Sequence, residues 1–383
     1  MTSAWDYFSA IAFDETAIKR VIIILLFNFF DYLGTISCVL YSVMQKPQNL
    51  QLSMQDVVEV LREWSFLGNL TVKPTNQGTV NTTFFVETQA GNFVLKLYND
   101  TITNAQIQYE HSLLAHLKSC NLSFALPTPI PNLLGETLIL VNQNHSLLRV
   151  ALLPFISGQP AERKNLAHTY AVGQVLGELH HALAKFDLEA EMAQLPAWGD
   201  LEHIHPLVTD PLVALQSLKL PLKEQEYITK FLTKVIEAAP NLYKTLPVQT
   251  THADYLSPNV LLIANRVVGV LDFEFATSDL RLMDYVAALD HFTRFSWQET
   301  PHWEFVQTFS AGYSKHISLI PAEVEALALV WRLQRASCII YWTGWFLEGK
   351  ATRQSVVDAV INTILLEEWF EENTTKMAAI FTN

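Results

Sequence analysis

The chain has 383 residues, of which 50% are hydrophobic and only 16% are charged, and its formal net charge is −13. This length allows two or three structural units with a large apolar core, and the acidic balance argues against nucleic-acid binding through a basic surface. The three cysteines, Cys38, Cys120 and Cys338, are far apart and lack CxxC spacing. We therefore expect a protein of a reducing, cytoplasmic compartment without disulfides or a zinc site.

The N-terminal 47 residues differ from the rest of the chain. Residues 21–43 form an apolar run long enough to span a bilayer, but Asn28 and Asp31 interrupt it. A charged residue near the centre of such a span costs about 3 kcal/mol on insertion scales. Three interpretations stay open: a marginal membrane anchor, an apolar helix packed on the globular body, or translation from upstream of a true start at Met44 or Met54. The two non-membrane interpretations are slightly favoured.

Short helix and strand signals alternate in the next hundred residues. Ser53 is a good N-cap for a helix over residues 55–61, and residues 77–86 are typical of a strand, a glycine-containing turn and a second strand. A turn at Gly91 and Asn92 leads into a strand over 93–98 that carries Lys96. The pattern then predicts an amphipathic helix over 110–117, opened by Glu110.

Two further strands are predicted over 138–141 and 147–153, and they complete a sheet in the N-terminal part. Pro154 ends the second strand. Beyond residue 165 the pattern becomes helical, with helices predicted over 172–181 and 222–239. The adjacent His180 and His181 face different sides of a helix, so we expect structural rather than metal-binding roles for them.

The most specific stretch runs from His252 to Asn259, with Asp254 inside it and a hairpin after it. Apolar strands over 260–263 and 267–271 flank a tight turn, so the hairpin brings Asp272 back beside Asn259. An Asn amide and an Asp carboxylate, with few other protein ligands, suit a Mg2+ ion that keeps water and substrate phosphates in its shell. Asp254 is then free to orient a substrate hydroxyl and accept its proton, as in phosphoryl transfer from ATP.

This stretch, together with Leu271-Asp272-Phe273-Glu274, resembles the aminoglycoside phosphotransferase and choline kinase family, and within it the homoserine kinases of the same fold. The resemblance covers about residues 52–345. It implies an α+β, protein-kinase-like two-lobe fold, with a small N-lobe built on an antiparallel sheet and a larger, mainly helical C-lobe. We expect an N-terminal extension over 1–47, a nucleotide-binding N-lobe over 48–153 and a C-lobe over 154–383 that carries the catalytic loop.

The resemblance also implies roles for individual residues. Lys96 falls where the family holds the α- and β-phosphates of ATP, and Glu110 is its expected ion-pair partner. Asp284 resembles the aspartate that braces the catalytic loop from a helix N-terminus, with His252 as further support. The turn that approaches the nucleotide contains Gly78, Val80 and Asn81. Glu274 is a candidate for a further metal or substrate contact.

Two departures from protein kinases indicate the class of acceptor. No glycine follows Asp272-Phe273, so a large backbone flip is disfavoured. Asp284 follows only twelve residues after Asp272, which leaves no room for a long activation loop. A small-molecule acceptor, cationic or zwitterionic, is therefore expected.

Homoserine is the favoured acceptor, and aminosugar antibiotics or choline-type alcohols are the alternative. A different class also stays open: a membrane-tethered protein kinase or a non-catalytic nucleotide-binding member. The acidic run at 367–372 is typical of a solvated helix face, and a role in attracting an ammonium group is the less favoured interpretation.

Overall fold

An antiparallel sheet of five strands forms the N-terminal part of the fold. The structure is a computed structural model that describes residues 54–64, 70–75, 81–143, 146–186, 195–296 and 299–380. The strands follow the spatial order β1-β2-β3-β5-β4. Their bounds are β1 Thr71–Pro74, β2 Thr82–Thr88, β3 Gly91–Leu97, β4 Ile139–Gln143 and β5 Ser146–Pro154. The N-terminal extension and the predicted loop residues Gly78 and Val80 lie outside the described residues.

Two helices accompany this sheet. Helix α1 (Met54–Val60) continues as a 3-10 turn, and its buried side chains join Trp64 in the apolar core under the sheet. Helix α2 (Asn104–Ser119) begins after Thr103, which forms a capping box with Gln106.

The second strand predicted within 77–86 and the strands over 93–98, 138–141 and 147–153 are confirmed as β2, β3, β4 and β5, whereas the beginning of 77–86 lies outside the described residues. Two predicted boundaries are wrong. The hairpin turn between β2 and β3 consists of Gln89 and Ala90, because Thr88 pairs with Gly91 in the ladder. Gly91 has φ +136° and already belongs to β3, so it is the first strand residue rather than part of the turn. Helix α2 starts six residues before Glu110, because the capping box at Thr103 fixes its beginning.

The remainder of the described chain is mainly helical. Its helices are α3 Leu166–Leu183, α4 Pro211–Gln216, α5 Leu222–Thr245, α6 Arg281–Thr293, α7 Trp303–Tyr313, α8 Pro321–Leu347 and α9 Arg353–Ile380. Two small sheets are set among them, formed by β6 Gln159–Pro160 with β8 Val260–Ile263 and β9 Arg266–Val270, and by β7 Val248–Thr251 with β10 Thr277–Leu280. The predicted hairpin is therefore confirmed as β8 and β9, paired from Val260 and Val270 to Ile263 and Arg266.

Helices α3 and α7 approach each other closely through glycines. A Cβ on Gly173 would lie 2.3 Å from the backbone oxygen of Phe309, and one on Gly312 would lie 2.2 Å from that of Tyr170. Larger side chains at these positions would push the helices apart. The close packing fixes α7 against α3 and so positions Tyr313, which reaches the site described below.

Large aromatic side chains of the C-terminal half lie in the core of the described chain. Phe292, Phe309, Tyr313 and Trp331 are essentially inaccessible to solvent.

Within the part of the chain that the structure describes, no helix is long and apolar enough to cross a membrane.

Candidate active site

A loop after β7 carries Asp254 and is held by the first turn of helix α6. One carboxylate oxygen of Asp284 accepts the backbone N–H of His252 at 2.8 Å, and the other accepts that of Ala253 at 3.1 Å. Ala253 has φ +62°, a left-handed conformation that costs energy for a residue other than glycine. The two bonds from Asp284 hold this turn, and the turn directs the chain into Asp254.

Asp284 is itself fixed by a buried histidine. His180 Nε2 lies 3.0 Å from Asp284 Oδ2, and His180 Nδ1 lies 2.8 Å from the hydroxyl of Tyr313. Burial alone would raise the pKa of Asp284, but the hydrogen bond and charge of His180 and the neighbouring His252 hold it below its usual range. Four elements thus converge on one carboxylate: α3, α6, α7 and the loop. Asp284 therefore holds the Asp254 loop from the first turn of helix α6.

The hairpin brings Asn259 to the start of the Asp272 segment. The backbone oxygen of Asn259 accepts the N–H of Leu271 at 2.8 Å. The amide nitrogen of Asn259 donates to Asp254 Oδ2 at 2.7 Å and to the Asp254 carbonyl at 3.0 Å. His252 Nε2 lies 2.9 Å from the carbonyl of Leu271. The three predicted residues Asp254, Asn259 and Asp272 are therefore gathered in one place.

Lys96 links the five-stranded sheet to this loop cluster. Its Nζ lies 3.1 Å from Glu110 Oε1 and 3.8 Å from Asp272 Oδ1. Both Lys96 and Glu110 are buried. Burial alone would lower the pKa of Lys96, but the surrounding carboxylates, Glu110 foremost, raise it well above its ordinary value. Lys96 on β3 and Glu110 on α2 are thus paired, and the surrounding carboxylates favour the charged form of the lysine.

Glu274 also belongs to this cluster. The sequence identified it only as a candidate for a further metal or substrate contact. Its Oε2 lies 3.1 Å from Lys96 Nζ and accepts a hydrogen bond from the side chain of Asn81. Asn81 Oδ1 in turn accepts the N–H of Asn99 at 2.9 Å, so Asn81 joins the beginning of β2 to the end of β3. Asn81, which belongs to the predicted nucleotide turn, therefore contacts the charge cluster directly.

Negative charge is in excess in this cluster. Glu110, Asp272 and Glu274 surround the cation of Lys96, and Asp254 lies near Asp272 and Glu274. Burial raises the pKa of the Asp254 carboxyl well above its ordinary value, and the charge of Asp272 adds to the effect. Burial raises the pKa of Glu274 as well, again with a contribution from Asp272. Such an arrangement favours the binding of a cation, which would lower the free energy of the ionised carboxylates.

A cleft of about 810 Å3, partly open to solvent, lies beside Asp254. One face of helix α6 lines it through Met283, Asp284, Ala287, Asp290 and His291, and Arg294 lines it just after the helix ends. A face of α8 and single residues from other elements complete the wall, namely Gln334, Arg335, Ser337, Cys338, Arg163, Trp198 and Tyr255.

The aromatic residues of this wall are Trp198 and Tyr255, neither of which the sequence singled out. The acidic run on α9 is not part of the wall, and Glu367 in that run pairs with Arg332 at 2.7 Å. The arginines of the cleft were also missed. They are distant in sequence, and no local pattern connects them. The sequence contained a pattern for cleft residues only in α6, where the polar residues after Asp284 recur at helical spacing.

Comparison with known proteins agrees with this architecture. Residues 71–327, about two thirds of the chain, match the phosphotransferase enzyme family. A homoserine kinase of Methylorubrum populi is 28% identical over 277 residues, which cover 71% of this chain and 79% of that protein.

Solved structures share the fold at lower identity. A microcompartment-associated aminopropanol kinase superimposes with a TM-score of 0.61 at 18% identity, over 85% of this chain and 99% of that one. An amicoumacin kinase superimposes with a TM-score of 0.60 at 14% identity, over 83% of this chain and 94% of that one. The protein-kinase-like two-lobe fold expected from the sequence is therefore confirmed. Since the family match spans most of both the sheet and the helical part, the chain belongs to the phosphotransferase enzyme family and is a small-molecule phosphotransferase.

Proposed function

We propose that this chain transfers the γ-phosphoryl group of ATP, with Mg2+, to the hydroxyl of homoserine. The observation that carries the proposal is the position of Asp254. Its buried carboxylate lines the cleft, accepts a hydrogen bond from Asn259 and lies near Asp272 and Glu274, which contact Lys96. A carboxylate with a raised pKa in such a place is suited to accept a proton from an alcohol.

The nucleotide would lie between the sheet and the helical part. In this proposal Lys96, held by Glu110, contacts the α- and β-phosphates, while the loop with Gly78, Val80 and Asn81 covers them. The carboxylates around Lys96, which raise its pKa and favour its charged form, support this role. The ligands of structures with a related fold also support this role. The amicoumacin kinase was solved with AMP-PNP and Ca2+, and a spectinomycin phosphotransferase was solved with ADP.

Asn259 and Asp272 would hold the metal ion. Among the described residues, no group of three or more His, Cys, Asp or Glu side chains is placed to hold a metal by itself. The donor set nevertheless fits, because the Asn259 nitrogen is turned toward Asp254, which leaves its oxygen for the metal, and the Asp272 side chain is 33% exposed. Two hard oxygen ligands, completed by phosphates and water, are typical of Mg2+. When bound, the ion would neutralise charge on the phosphates during transfer.

Other residues of the chain act on the acceptor hydroxyl or position the residue that does. Asp254 would orient the acceptor hydroxyl toward the γ-phosphorus and accept its proton as the new O–P bond forms and the bond to ADP breaks. Asn259 fixes the rotamer of Asp254 through its amide nitrogen. His252 and Asp284 support the loop, so their effect on the reaction passes through the position of Asp254.

Homoserine is preferred as acceptor because of the curated relatives. Those at 24–28% identity are homoserine kinases, and they align over most of their own length. The aminopropanol and choline kinases among the structural neighbours act on other small alcohols, so the fold alone does not choose between acceptors.

A coupled ADP-release assay tests the proposal. The purified chain would be given Mg-ATP and, in turn, homoserine, choline, ethanolamine, hydroxylysine, methylthioribose and an aminoglycoside. Turnover that is strongest with homoserine and absent from Asp254→Ala is the expected result. Preference for another acceptor would replace the substrate and keep the mechanism. Failure to bind ATP at all would rule out the kinase function.

A further inference from the structure

Tyr98, a buried residue just after β3, contacts both members of the pair formed by Lys96 and Glu110. Its hydroxyl donates to Glu110 Oε2 at 3.1 Å, while Lys96 Nζ donates to Glu110 Oε1 at 3.1 Å. Lys96 Nζ also lies 4.7 Å from the centre of the Tyr98 ring, within the range of a cation–π contact. Each oxygen of Glu110 therefore has its own partner, and two neighbouring side chains determine the orientation of the carboxylate.

A chain of hydrogen bonds holds Tyr98 in turn. The Tyr98 hydroxyl lies 3.0 Å from His111 Nε2, and His111 Nδ1 lies 2.9 Å from the hydroxyl of Thr137. Burial, and next the charge of Glu110, raise the pKa of Tyr98 well above its ordinary value, so the phenol keeps the proton that it donates. His111 then donates to Tyr98 through Nε2 and accepts from Thr137 at Nδ1. Burial lowers the pKa of His111 to about 4, so its imidazole is neutral at pH 7.

Other carboxylates compete with Glu110 for Lys96. Glu274 Oε2 lies 3.1 Å from Lys96 Nζ, as close as Glu110 Oε1, and Asp272 Oδ1 lies 3.8 Å away. The balance between these contacts depends on how firmly Glu110 is oriented and on whether it is ionised. Burial raises the pKa of Glu110, whereas the charge of Lys96 and the hydrogen bond from Tyr98 favour the ionised form. The Tyr98 hydroxyl therefore strengthens the contact of Lys96 with Glu110.

We propose that Tyr98 is a positioning residue for the nucleotide, which keeps Lys96 paired with Glu110 rather than with Glu274. The proposal rests on the proposed kinase function and deepens it, because it acts on the lysine assigned to the α- and β-phosphates. Without the phenol hydroxyl, Glu110 would lose its fixed orientation. The contact of Lys96 with Glu274 would then compete more strongly with its contact to the phosphates, and a nucleotide would bind less tightly.

Tyr98→Phe tests the proposal, because it removes the hydroxyl and keeps the ring. Calorimetry with Mg-AMP-PNP should give a Kd about 10-fold higher than that of the unmodified chain, since hydrogen bonds to charged groups are among the stronger ones. In assays with an acceptor that gives turnover, KM for ATP should rise by a similar factor, whereas KM for that acceptor should change by less than about 2-fold. A general disturbance of the fold would not separate the two substrates in this way.

Tyr109→Phe is the matched control for the loss of a buried hydroxyl. Tyr109 is buried on α2 and precedes Glu110, and its hydroxyl bonds to the side chain of Thr250 on β7. Both variants should lower the midpoint of thermal unfolding, because each leaves a buried polar group without its partner. Tyr98→Phe should weaken nucleotide binding, and Tyr109→Phe should leave it unchanged.

A double variant tests whether the effect of Tyr98 passes through the lysine. Lys96→Met removes the cation, so binding of Mg-AMP-PNP should already be weaker in that variant. Adding Tyr98→Phe to Lys96→Met should then raise Kd by less than about 2-fold, because the two residues act as one unit. A further 10-fold loss, about the same as in the unmodified background, would mean that Tyr98 acts independently of Lys96 and would overturn the inference.

Calorimetry also separates failure of this inference from failure of the proposed function. An unchanged Kd in Tyr98→Phe, or equal losses in Tyr98→Phe and Tyr109→Phe, would overturn the inference while the kinase function stands. Absence of turnover with every acceptor, together with a Kd that still depends on Tyr98, would reject the acceptor assignment and support the inference. Absence of Mg-AMP-PNP binding to the unmodified chain would overturn both.

Discussion

Asp254 illustrates how a proposed catalytic residue can reduce the stability of the protein that carries it. Its carboxyl is buried and its pKa is raised well above the ordinary value, first by burial and then by Asp272. A carboxyl whose folded pKa is raised binds its proton more tightly in the folded state. Its destabilising effect is therefore absent below about pH 4, the unfolded pKa, and grows as the pH rises through the folded pKa.

We expect Asp254→Asn to lose turnover by about 1,000-fold or more, because the base is removed. The same change should stabilise the protein at pH 7 by about 1–2 kcal/mol, because an ionised group leaves a buried site while Asn259 keeps its acceptor. Urea unfolding at pH 7 and at pH 4.5 measures the effect, and the gain should shrink at the lower pH.

Asp100→Asn is the matched control, since Asp100 is exposed. It should alter neither turnover nor stability by a measurable amount. A clear loss of stability in Asp254→Asn would contradict this expectation. It would mean that the hydrogen bond from Asn259 to the ionised carboxylate stabilises the fold by more than the burial of that charge destabilises it.

Sequence patterns could identify residues that lie close together along the chain. Asp254, Asn259 and Asp272 were predictable as neighbours because a tight hairpin determines their separation. The arginines of the cleft were not, since Arg163 precedes α3, Arg294 follows α6 and Arg335 lies in α8. Only the packing of three distant segments brings them together, and no local spacing encodes it.

At the scale of elements, Asp284 joins helix α6 to the catalytic loop. Its carboxylate accepts two backbone N–H groups and contacts His180. The pKa of Asp284 is held below its usual range against the effect of burial. A carboxyl with a lowered pKa contributes stability above its unfolded pKa of about 4, and that stability is lost as the pH falls through the folded pKa. The sign is opposite to that of Asp254.

We expect Asp284→Asn to destabilise the protein by about 2–4 kcal/mol at pH 7, because one of its amide positions then faces a backbone donor instead of accepting from it. Turnover should also fall, since Ala253 would relax from its left-handed conformation and move Asp254. Thermal unfolding and kcat measure the two effects.

Glu304→Gln provides the comparison for this change, because Glu304 is an exposed acidic residue in the first turn of α7. It should cost less than about 1 kcal/mol, the usual value of a helix-dipole interaction. Similar losses for Asp284→Asn and Glu304→Gln would show that Asp284 acts only through its helix.

The contact between α3 and α7 gives a second prediction at this scale. Gly312→Ala would raise the helix propensity of α7 by about 1 kcal/mol, but its Cβ would lie 2.2 Å from the Tyr170 carbonyl. We expect a net loss of about 1–3 kcal/mol from the forced separation of the helices. Urea unfolding checks the sign. Ala311→Ser is a matched control, because it adds one atom at the neighbouring exposed position, and a stabilised Gly312→Ala variant would contradict the expectation.

Element boundaries were less predictable than element types. Helix α5 was expected to end near residue 239, yet it continues through Pro240 to Thr245. Ala239 and Leu242 are buried on either side of the proline, so packing of this face offsets the lost hydrogen bond. Propensity alone gives no weight to such packing, which depends on helices distant in sequence.

At the scale of the whole molecule, the proposed nucleotide site is assembled from two parts of the fold. Lys96 and Glu110 come from the five-stranded sheet and its helix, and Asp254, Asn259 and Asp272 come from the helical part. The contact of Lys96 with Asp272 and Glu274 crosses between them. The fold class could be expected from the sequence because the catalytic-loop motif resembles a known family, whereas the balance of charge where the two parts meet depends on their packing.

Binding of a metal-nucleotide complex should therefore stabilise both parts together. A ligand that binds only the folded state adds RT ln(1 + [L]/Kd), which is about 2.7 kcal/mol at a hundredfold excess over Kd. We expect Mg-AMP-PNP to raise the midpoint of a single thermal transition by several degrees, and AMP-PNP with EDTA to raise it much less, because the excess carboxylates then repel the phosphates.

The Asp272→Asn variant distinguishes the contribution of the metal to this thermal shift from that of the nucleotide. The variant loses a proposed metal ligand but keeps Lys96 and Glu110, so its response to Mg-AMP-PNP should fall to that of the unmodified chain in EDTA. Glu87→Gln, an exposed carboxylate on β2, should respond like the unmodified chain. If Asp272→Asn kept the full magnesium-dependent shift, the metal would be held elsewhere, and Asp272 would act on Lys96 alone.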